Sequence, residues 1–125
     1  MGASIPNAMA TQHTMASTPS FVDWSTIAPR AIAPGVTIRV FSSAQLMLSL
    51  VEMAAGSVIP PHQHPHEQMG LWLEGEATAR IGDQVRHVQP GESYYIPGNV
   101  QHTFTVGSAG ARALDVFNPP REDYL

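Results

Sequence analysis

Residues 56–75 read GSVIPPHQHPHEQMGLWLEG, a stretch in which a histidine cluster runs directly into apolar, β-forming sequence. Residues 67–73 are followed by Gly75, as expected for a β-strand that ends in a turn. The preceding part carries three histidines within five residues, and they are His62, His64 and His66. Imidazole nitrogens are common metal ligands, so the stretch predicts a strand and a metal site side by side.

Short β-rich runs separated by turn signals continue on both sides of this stretch. The predicted strands are residues 36–41, 45–53, 67–73, 77–81, 85–88, 94–96, 100–106 and 111–117. Gly or Pro residues follow most of them, and Gly82-Asp83 is a hairpin-type pair. Beyond residue 30, no segment keeps a 3.6-residue apolar period free of Gly or Pro. We therefore predict an all-β sandwich or closed barrel, because a sheet of this size must bury its edges.

The chain has 125 residues, which is enough for one ordinary domain and too few for two. Residues 1–20 are rich in Ala, Ser, Thr, Met and Pro without a period, and we expect a flexible leader there. An alternative is an arm that pairs with the sheet edge of another subunit. Residues 21–125 are the predicted domain.

The charge and residue composition exclude several classes of function. The net charge is −4 and the six basic residues are scattered arginines, which argues against a nucleic-acid-binding face. The absence of lysine excludes Schiff-base chemistry and a P-loop, and the absence of cysteine excludes disulfides, thiol nucleophiles, iron–sulfur clusters and zinc fingers. No apolar run reaches the ~20 residues that span a membrane, and no secretory signal is visible. We expect a cytoplasmic protein without a membrane partner.

The spacing of the histidines favours metal binding. In an extended strand, side chains repeat with period two, so His62, His64, His66 and Gln68 are predicted to share one face and Glu67 the other. Two imidazoles on one strand can bind one ion if other strands complete the shell, and Zn, Cu, Fe, Ni or Mn would suit them. The alternative is a polar, solvent-facing strand that is rich in histidine by chance.

A second pattern lies downstream, where residues 91–102 read GESYYIPGNVQH. A glycine turn, a short strand and a proline turn precede His102, an order that can fold this histidine back over the first cluster. Taken alone, His102 could equally be a hydrogen-bonded core histidine. The similar turns around both segments favour a shared site.

These two segments resemble the cupin superfamily. Its first motif, G-x5-H-x-H-x3,4-E-x6-G, matches from Gly56 to Gly75, with Gln68 in the glutamate position. Its second, G-x5-P-x-G-x2-H-x3-N, matches from Gly91 onward, with Asn99 in the second glycine position and Val106 in the asparagine position. The resemblance implies a single-domain cupin β-barrel, a jelly roll that many different chemistries use.

The C-terminal residues 114–125, LDVFNPPREDYL, are similar to the ending of the KdgF-type pectin-degradation cupins. That resemblance implies one divalent transition metal ion, with His62, His64, Gln68 and His102 as its ligands. It also implies active-site roles for Asp115, Phe117 and Arg121. The family opens the ring of 4,5-unsaturated uronates and gives linear keto sugars, so the implied partner is a small carboxylated sugar.

Strand phase offers a separate argument for Asp115. It shares a face with Phe117, Ala111 and Ala113, and two small residues before a carboxylate are typical of a cavity wall. From the residues alone, Asp115 can also be an edge carboxylate in solvent, Arg121 a surface cation and Phe117 a core residue. A neutral ligand set of three imidazoles and one carboxamide favours Lewis-acid work over oxygen activation.

We expect Arg121 to pair with the substrate carboxylate and Asp115 to move a proton. Two other functions stay open, a metal-dependent cupin dioxygenase and a non-catalytic small-molecule-binding cupin, with a sulfoniopropionate lyase as a weaker variant. The metal can be Zn, Ni, Mn or Fe, and we expect a homodimer. Several other side chains are either cavity-lining or packing residues, namely His66, Trp72, Tyr94 and Tyr95; His13 and His87 are predicted to be exposed.

Overall fold

A computed structural model describes residues 13–125, and nearly all of its regular structure is β. The strands are β1 (His13–Met15), β2 (Arg30–Ala33), β3 (Val36–Ser42), β4 (Met47–Met53), β5 (Val58–His62), β6 (Glu67–Ile81), β7 (Gln84–Val88), β8 (Ser93–Ile96) and β9 (His102–Asn118). Two short 3-10 helices, Trp24–Thr26 and Glu122–Tyr124, complete the elements. Within the described part of the chain, no helix is long and apolar enough to cross a membrane.

The sheet is organised by two long strands, β6 and β9, which pair with each other along most of their length. The hydrogen-bonded order is β1-β3-β4-β9-β6-β7, with β2 on β3, β5 on β9 and β8 on β6. Each long strand therefore changes its outer neighbour half-way: β9 from β5 to β4, and β6 from β8 to β7. This exchange folds one sheet into two facing layers, and the predicted all-β jelly-roll barrel is confirmed.

Bulges in the middle of the long strands produce this fold. The β6–β9 register shifts at Trp72/Glu74 and again at Gly75/Ala77. Gly75 and Gly110 both have positive φ, and a Cβ at Gly75 would lie 1.8 Å from the carbonyl oxygen of Gly110. Glycine is required at this close approach, and the two strands bend there.

The predicted strand ends at Gly75 and at residues 107–110 are wrong, because both strands continue through these positions. In β6, even-numbered residues face inward before the bulge and odd-numbered residues after it, and β9 changes phase in the same way. A one-residue bulge reverses the alternation, so one bent strand looks like two strands in sequence.

The predicted single histidine strand over residues 62–68 is also wrong. Strand β5 ends at His62, residues 63–66 form a connection, and β6 begins at Glu67. Pro65 has no N–H for a ladder hydrogen bond, which favours a break in the pairing at this point.

The sequence did not predict three short strands, β1, β2 and β5, of which β5 contains the pair Pro60-Pro61. Strand β1 lies within the expected leader and pairs in parallel with β3 of the same chain. Residues 1–12 lie outside the described residues, and the boundary at residue 20 stays a prediction.

The interior is filled by inward-facing side chains from every layer. Strand β3 alternates strictly, with Val36, Ile38 and Val40 buried. Trp72 stacks on Phe104 with a centroid distance of 5.7 Å, which joins the inner faces of β6 and β9. This aromatic pair also lines the cavity that the polar side chains described below surround.

Candidate metal centre

Three histidines from three parts of the chain converge inside the barrel. His62 ends β5, His102 begins β9, and these two residues are opposite each other in the strand pairing. His64 comes from the connection between β5 and β6. Each residue offers a ring nitrogen within 4.8 Å of those of the other two. Three nitrogens at this spacing can bind one metal ion.

The turn that precedes His102 holds the connection that carries His64. The backbone N–H of Asn99 donates to the carbonyl oxygen of His64 at 2.7 Å. Gly98 lies so close to Pro65 that a Cβ at residue 98 would be 2.4 Å from the Pro65 carbonyl oxygen. Asn99 has φ 64°, a conformation that glycine adopts freely and asparagine tolerates well. The asparagine in the glycine position of the second motif therefore preserves the turn.

One nitrogen of each ring is committed to the backbone. The Nδ1 atoms of His62, His64 and His102 lie 2.8, 3.0 and 2.9 Å from carbonyl oxygens two residues away in the chain. Since a carbonyl oxygen only accepts, Nδ1 carries the proton and Nε2 keeps its lone pair. The Nε2 atom of His102 is buried and has no hydrogen-bond partner among residues 13–125. A histidine that ligates a metal ion through one ring nitrogen usually donates a hydrogen bond from the other, as these rings do.

Gln68 adds an oxygen to the cluster. Its side chain is buried on the inward face of β6, and Oε1 lies 3.1 Å from Nε2 of His64. With the proton on Nδ1 of His64, both of these atoms are acceptors, and a cation next to them would remove their repulsion. Three imidazoles and one carboxamide oxygen fit a divalent transition metal ion.

Burial keeps two of these rings neutral. It lowers the pKa of His102 to about 4, and any positive charge on the neighbouring histidines acts in the same direction. The pKa of His64 is also lowered, first by burial and then by the positive charge of Arg121. Both rings therefore have a lone pair for a metal ion at neutral pH.

Asp115 is buried on the inward face of β9, which agrees with the predicted phase of this strand. The hydroxyl of Tyr94 on β8 donates to its Oδ1 at 2.6 Å. Burial raises the pKa of Asp115 to about 6, against hydrogen bonds from Tyr94 and Gln68 and the charge of Arg121, which lower it. Burial also raises the pKa of Tyr94, as does the neighbouring carboxylate. Tyr94 thus makes a polar contact with Asp115 as well as packing against Phe104.

Gly70 makes the contact between Tyr94 and Asp115 possible. It is opposite Tyr94 in the β6–β8 pairing and opposite Asp115 in the β6–β9 pairing. A Cβ at residue 70 would lie 2.1 Å from Cζ of Tyr94, far inside van der Waals contact. The ring therefore crosses β6 above a glycine. No motif singles out Gly70 in the sequence, although its position two residues after Gln68 places it on the same face.

Phe117 and Arg121 border the cluster on the C-terminal side. The ring of Phe117 is buried and meets the ring of His64 edge-on, with a centroid distance of 5.6 Å. The guanidinium of Arg121 stacks 4.0 Å above the ring of Tyr124, and its Nη1 donates to the Tyr124 hydroxyl at 2.9 Å. Asp123 accepts from its Nε and Nη2, at 3.3 and 2.8 Å. Arg121 is therefore a fixed and largely buried cation, unlike a mobile surface arginine.

These side chains surround one cavity with a volume of about 30 Å³. Its wall includes most of the residues predicted for the site, namely His62, Gln68, His102, Asp115, Phe117 and Arg121. The remaining one, His64, contacts Gln68 and Phe117. The fold brings all the predicted site residues around the same space, while their roles stay predictions.

The other aromatic residues named in the sequence divide between the two faces of the sheet. Trp72 is buried and lines the cavity, and its indole N–H donates to the carbonyl of Gly75. Tyr95 and Glu67 lie on the outer face and form a hydrogen bond there, so neither side chain borders the cavity. The predicted opposite orientation of Glu67 and Gln68 is confirmed.

The remaining histidines are peripheral to the cluster. The ring of His66 is adjacent to that of His64, with a centroid distance of 5.4 Å, and its backbone carbonyl accepts from His64. His87 is exposed, as predicted, and pairs with Glu76. The side chain of His13 lies outside what the structure describes.

A family model for the cupin domain matches residues 49–117, more than half of the chain and a range that includes both histidine motifs. The chain belongs to the cupin family. This cupin is 30% identical over 84 residues to the pectin degradation protein KdgF of Dickeya dadantii, which covers 66% of this chain and 76% of the relative. It is 30% identical over 67 residues to the dimethylsulfoniopropionate lyase DddW of Ruegeria pomeroyi, which covers 54% of this chain and 44% of that one.

Among solved structures, KdgF from Halomonas sp. matches this cupin with a TM-score of 0.81 and 26% identity. The match covers 86% of this chain and the whole of that chain. The predicted single-domain barrel and the resemblance of this small cupin to KdgF are both confirmed.

Proposed function

We propose that this cupin opens the ring of 4,5-unsaturated uronates to give linear keto sugars. One observation carries the proposal: the buried Asp115–Tyr94 pair, Arg121 and two members of the three-histidine cluster, His62 and His102, border a single cavity. Such a set provides a proton-transfer group, a cation site and a carboxylate-binding group within reach of one small molecule. Similarity to the pectin degradation protein KdgF supports this class of substrate.

We assign one divalent transition metal ion, Zn, Ni, Mn or Fe, to His62, His64, Gln68 and His102. When bound, the ion supplies Lewis-acid chemistry, since four neutral ligands leave its double positive charge unreduced. The chain contributes the fixed tautomers of the three rings and the inward orientation of the Gln68 carboxamide.

Ring opening is an isomerisation in which one proton leaves the anomeric hydroxyl and one arrives at C4. The C1–O5 bond breaks, C1 becomes an aldehyde, and the enol at C5 becomes a ketone, so no oxidant is needed. Asp115 is the group we assign to this proton movement, because it is the buried carboxylate on the cavity wall. The Tyr94 hydroxyl fixes its orientation through the hydrogen bond to Oδ1.

Arg121 is the group we assign to the substrate carboxylate. Asp123 occupies the Nε and Nη2 edge of the guanidinium, and Tyr124 accepts from Nη1, which leaves further N–H groups of Nη1 and Nη2 for a second anion. Phe117 packs under the guanidinium and against His64, so it sets the distance between this cation and the histidine cluster.

The test is to follow the ultraviolet absorbance of the enol ether while metal-loaded protein is incubated with an unsaturated uronate. We expect decay faster than in buffer, and a loss of about 10²- to 10⁴-fold in turnover for Asp115→Asn with substrate binding kept. A decay rate equal to that in buffer would reject the proposed reaction.

Two controls separate the other functions that the sequence leaves open. A dioxygenase would consume oxygen and fail under argon, whereas ring opening proceeds there. A binding protein without turnover would show the same ligand affinity in wild type and Asp115→Asn and no product in either. Assaying dimethylsulfoniopropionate cleavage in parallel tests the lyase variant.

Cytoplasmic residence and a homodimer also stay predictions of the sequence. Light scattering coupled to gel filtration measures the oligomeric state directly. A mass equal to one 125-residue chain would contradict the predicted dimer.

A further inference from the structure

The cavity beside the histidine cluster is too small for a whole sugar acid. Its volume of about 30 Å³ holds a few water molecules at most, whereas small-molecule sites usually measure about 300–1,000 Å³. A more open space of about 480 Å³ lies next to it, between β2 and residues 121–124; we call it the outer groove. Residues that line both spaces are Ile32, Ile59, His62, Arg121 and Tyr124. Because these five residues, Arg121 among them, connect the two spaces, the outer groove is where the body of a substrate that reaches the cavity would extend.

Arg30 is the second arginine of this groove, and its strand position directs it there. In the β2–β3 pairing it is opposite Ile38, which is buried, so Arg30 is on the core-facing side of the sheet. It is the first residue of β2, where this side of the strand opens into the outer groove. No sequence pattern indicates a role for Arg30.

The charge of Arg30 is not neutralised by a carboxylate. Its Nη2 donates to the backbone carbonyl of Asp123 at 2.7 Å, and within residues 13–125 it forms no ion pair. Residues 1–12 contain no acidic side chain. The carboxylate of Asp123 pairs with Arg121 instead. The three charged groups of the groove thus carry one net positive charge next to the histidine cluster.

If Arg30 only held β2 against the C-terminal segment, its charge would not be needed, because a neutral donor can also form a hydrogen bond with a carbonyl oxygen. We infer that Arg30 and Arg121 form an anion-binding subsite of the outer groove, which takes the carboxylate of a sugar acid. The inference rests on the proposed function for the identity of the sugar. In this subsite Arg30 is a second cation beside Arg121, so the groove binds acidic sugars in preference to neutral ones.

The test compares the binding of galacturonate and of galactose to zinc-loaded protein by calorimetry. Arg30→Gln keeps an amide that can donate to the Asp123 carbonyl but removes the charge, and Arg30→Lys keeps the charge. We expect about tenfold weaker galacturonate binding for Arg30→Gln, about threefold or less for Arg30→Lys, and unchanged galactose binding. The matched control is Arg80→Gln, because Arg80 also donates to a single backbone carbonyl but lies outside the groove.

The subsite is overturned if Arg30→Gln binds galacturonate as tightly as the wild type does, or if the variant loses affinity for galactose to the same extent. It is also overturned if the wild type does not bind galacturonate. Kinetics with the unsaturated uronate separate this result from the proposed function. A raised KM with kcat kept in Arg30→Gln supports both. No turnover by the wild type, together with Arg30-dependent galacturonate binding, rejects the reaction and keeps the subsite.

Discussion

At the scale of single residues, the buried position of Asp115 lowers the stability of the folded protein. Burial removes the carboxylate from water, and the hydrogen bonds from Tyr94 and Gln68 compensate only in part, since its pKa is raised from 3.8 to about 6. A difference of this size corresponds to about 3 kcal/mol of preference for the protonated form in the folded state. Groups held in this way are typical of functional sites.

This position predicts a pH-dependent effect of Asp115→Asn on stability. Because the folded-state pKa lies above the unfolded one, the folded protein loses stability as pH rises from about 4 through 6, and the asparagine variant does not. In metal-free protein we expect the free energy of unfolding of the variant, relative to that of wild type, to rise by about 2–3 kcal/mol between pH 4 and pH 7. Urea denaturation at both pH values measures the difference, and a constant difference would contradict it.

Tyr94→Phe tests the hydrogen bond separately from the packing. The ring still fits above Gly70 and against Phe104, so we expect the fold to be kept. Loss of the hydroxyl leaves Asp115 free to reorient, and we expect kcat to fall about ten- to hundredfold with little change in KM.

The matched control is Tyr95→Phe on the outer face, which should behave like wild type. In the Asp115→Asn background, Tyr94→Phe should add little, because both changes remove the same unit. Equal kinetics for the variants Tyr94→Phe and Tyr95→Phe would contradict the assigned role.

At the scale of elements, the bent strands β6 and β9 determine which side chains face the cavity. Gln68 and Gly70 face inward before the bulge of β6, and Ala77 and Ala79 after it. The bulge depends on Gly75, whose missing side chain leaves room for the carbonyl of Gly110. The bend is therefore a steric property of two glycines on neighbouring strands.

Gly75→Ala should destabilise the protein much more than Gly56→Ala. Both glycines have φ near 70°, but a Cβ at Gly56 has no neighbour within 4 Å, whereas at Gly75 it meets backbone. We expect Gly56→Ala to lower the free energy of unfolding by about 1–2 kcal/mol, because of the positive φ alone. Gly75→Ala should lower it by more than about 4 kcal/mol or prevent folding. Denaturant unfolding measures both, and equal losses would show that the close approach is unimportant.

At the scale of the whole molecule, the histidine cluster joins elements that are distant in sequence. His62 and His102 come from β5 and β9, His64 from a connection, and Gln68 from β6. A ligand that binds only this arrangement stabilises the folded state against the unfolded chain.

Zinc should therefore raise the melting temperature. At a free concentration of a hundred times Kd, the gain is about 2.7 kcal/mol, or roughly 8–15 °C for a domain of this size. His62→Ala should lose most of this shift, and His87→Ala, whose side chain is exposed and outside the cluster, should keep it. Differential scanning fluorimetry measures the shifts, and an equal shift in both variants would contradict the metal site.

The resemblance to the cupins indicated the candidate site residues, and the sequence by itself determined the all-β class and the inward faces of Gln68 and Asp115. These properties follow from short-range rules, namely turn residues, motif spacing and the alternation of side chains along a strand. Where the sequence analysis was wrong, at Gly75 and in the histidine segment, a bulge and a proline interrupt that alternation.

Only the tertiary structure decided that Tyr94 reaches Asp115 across Gly70 and that Arg30 shares a groove with Arg121. Tyr94 and Asp115 are 21 positions apart in the chain, and Arg30 and Arg121 are still farther apart. Strand order and register place such residues together, and neither can be read from a local pattern because both depend on how the whole sheet closes.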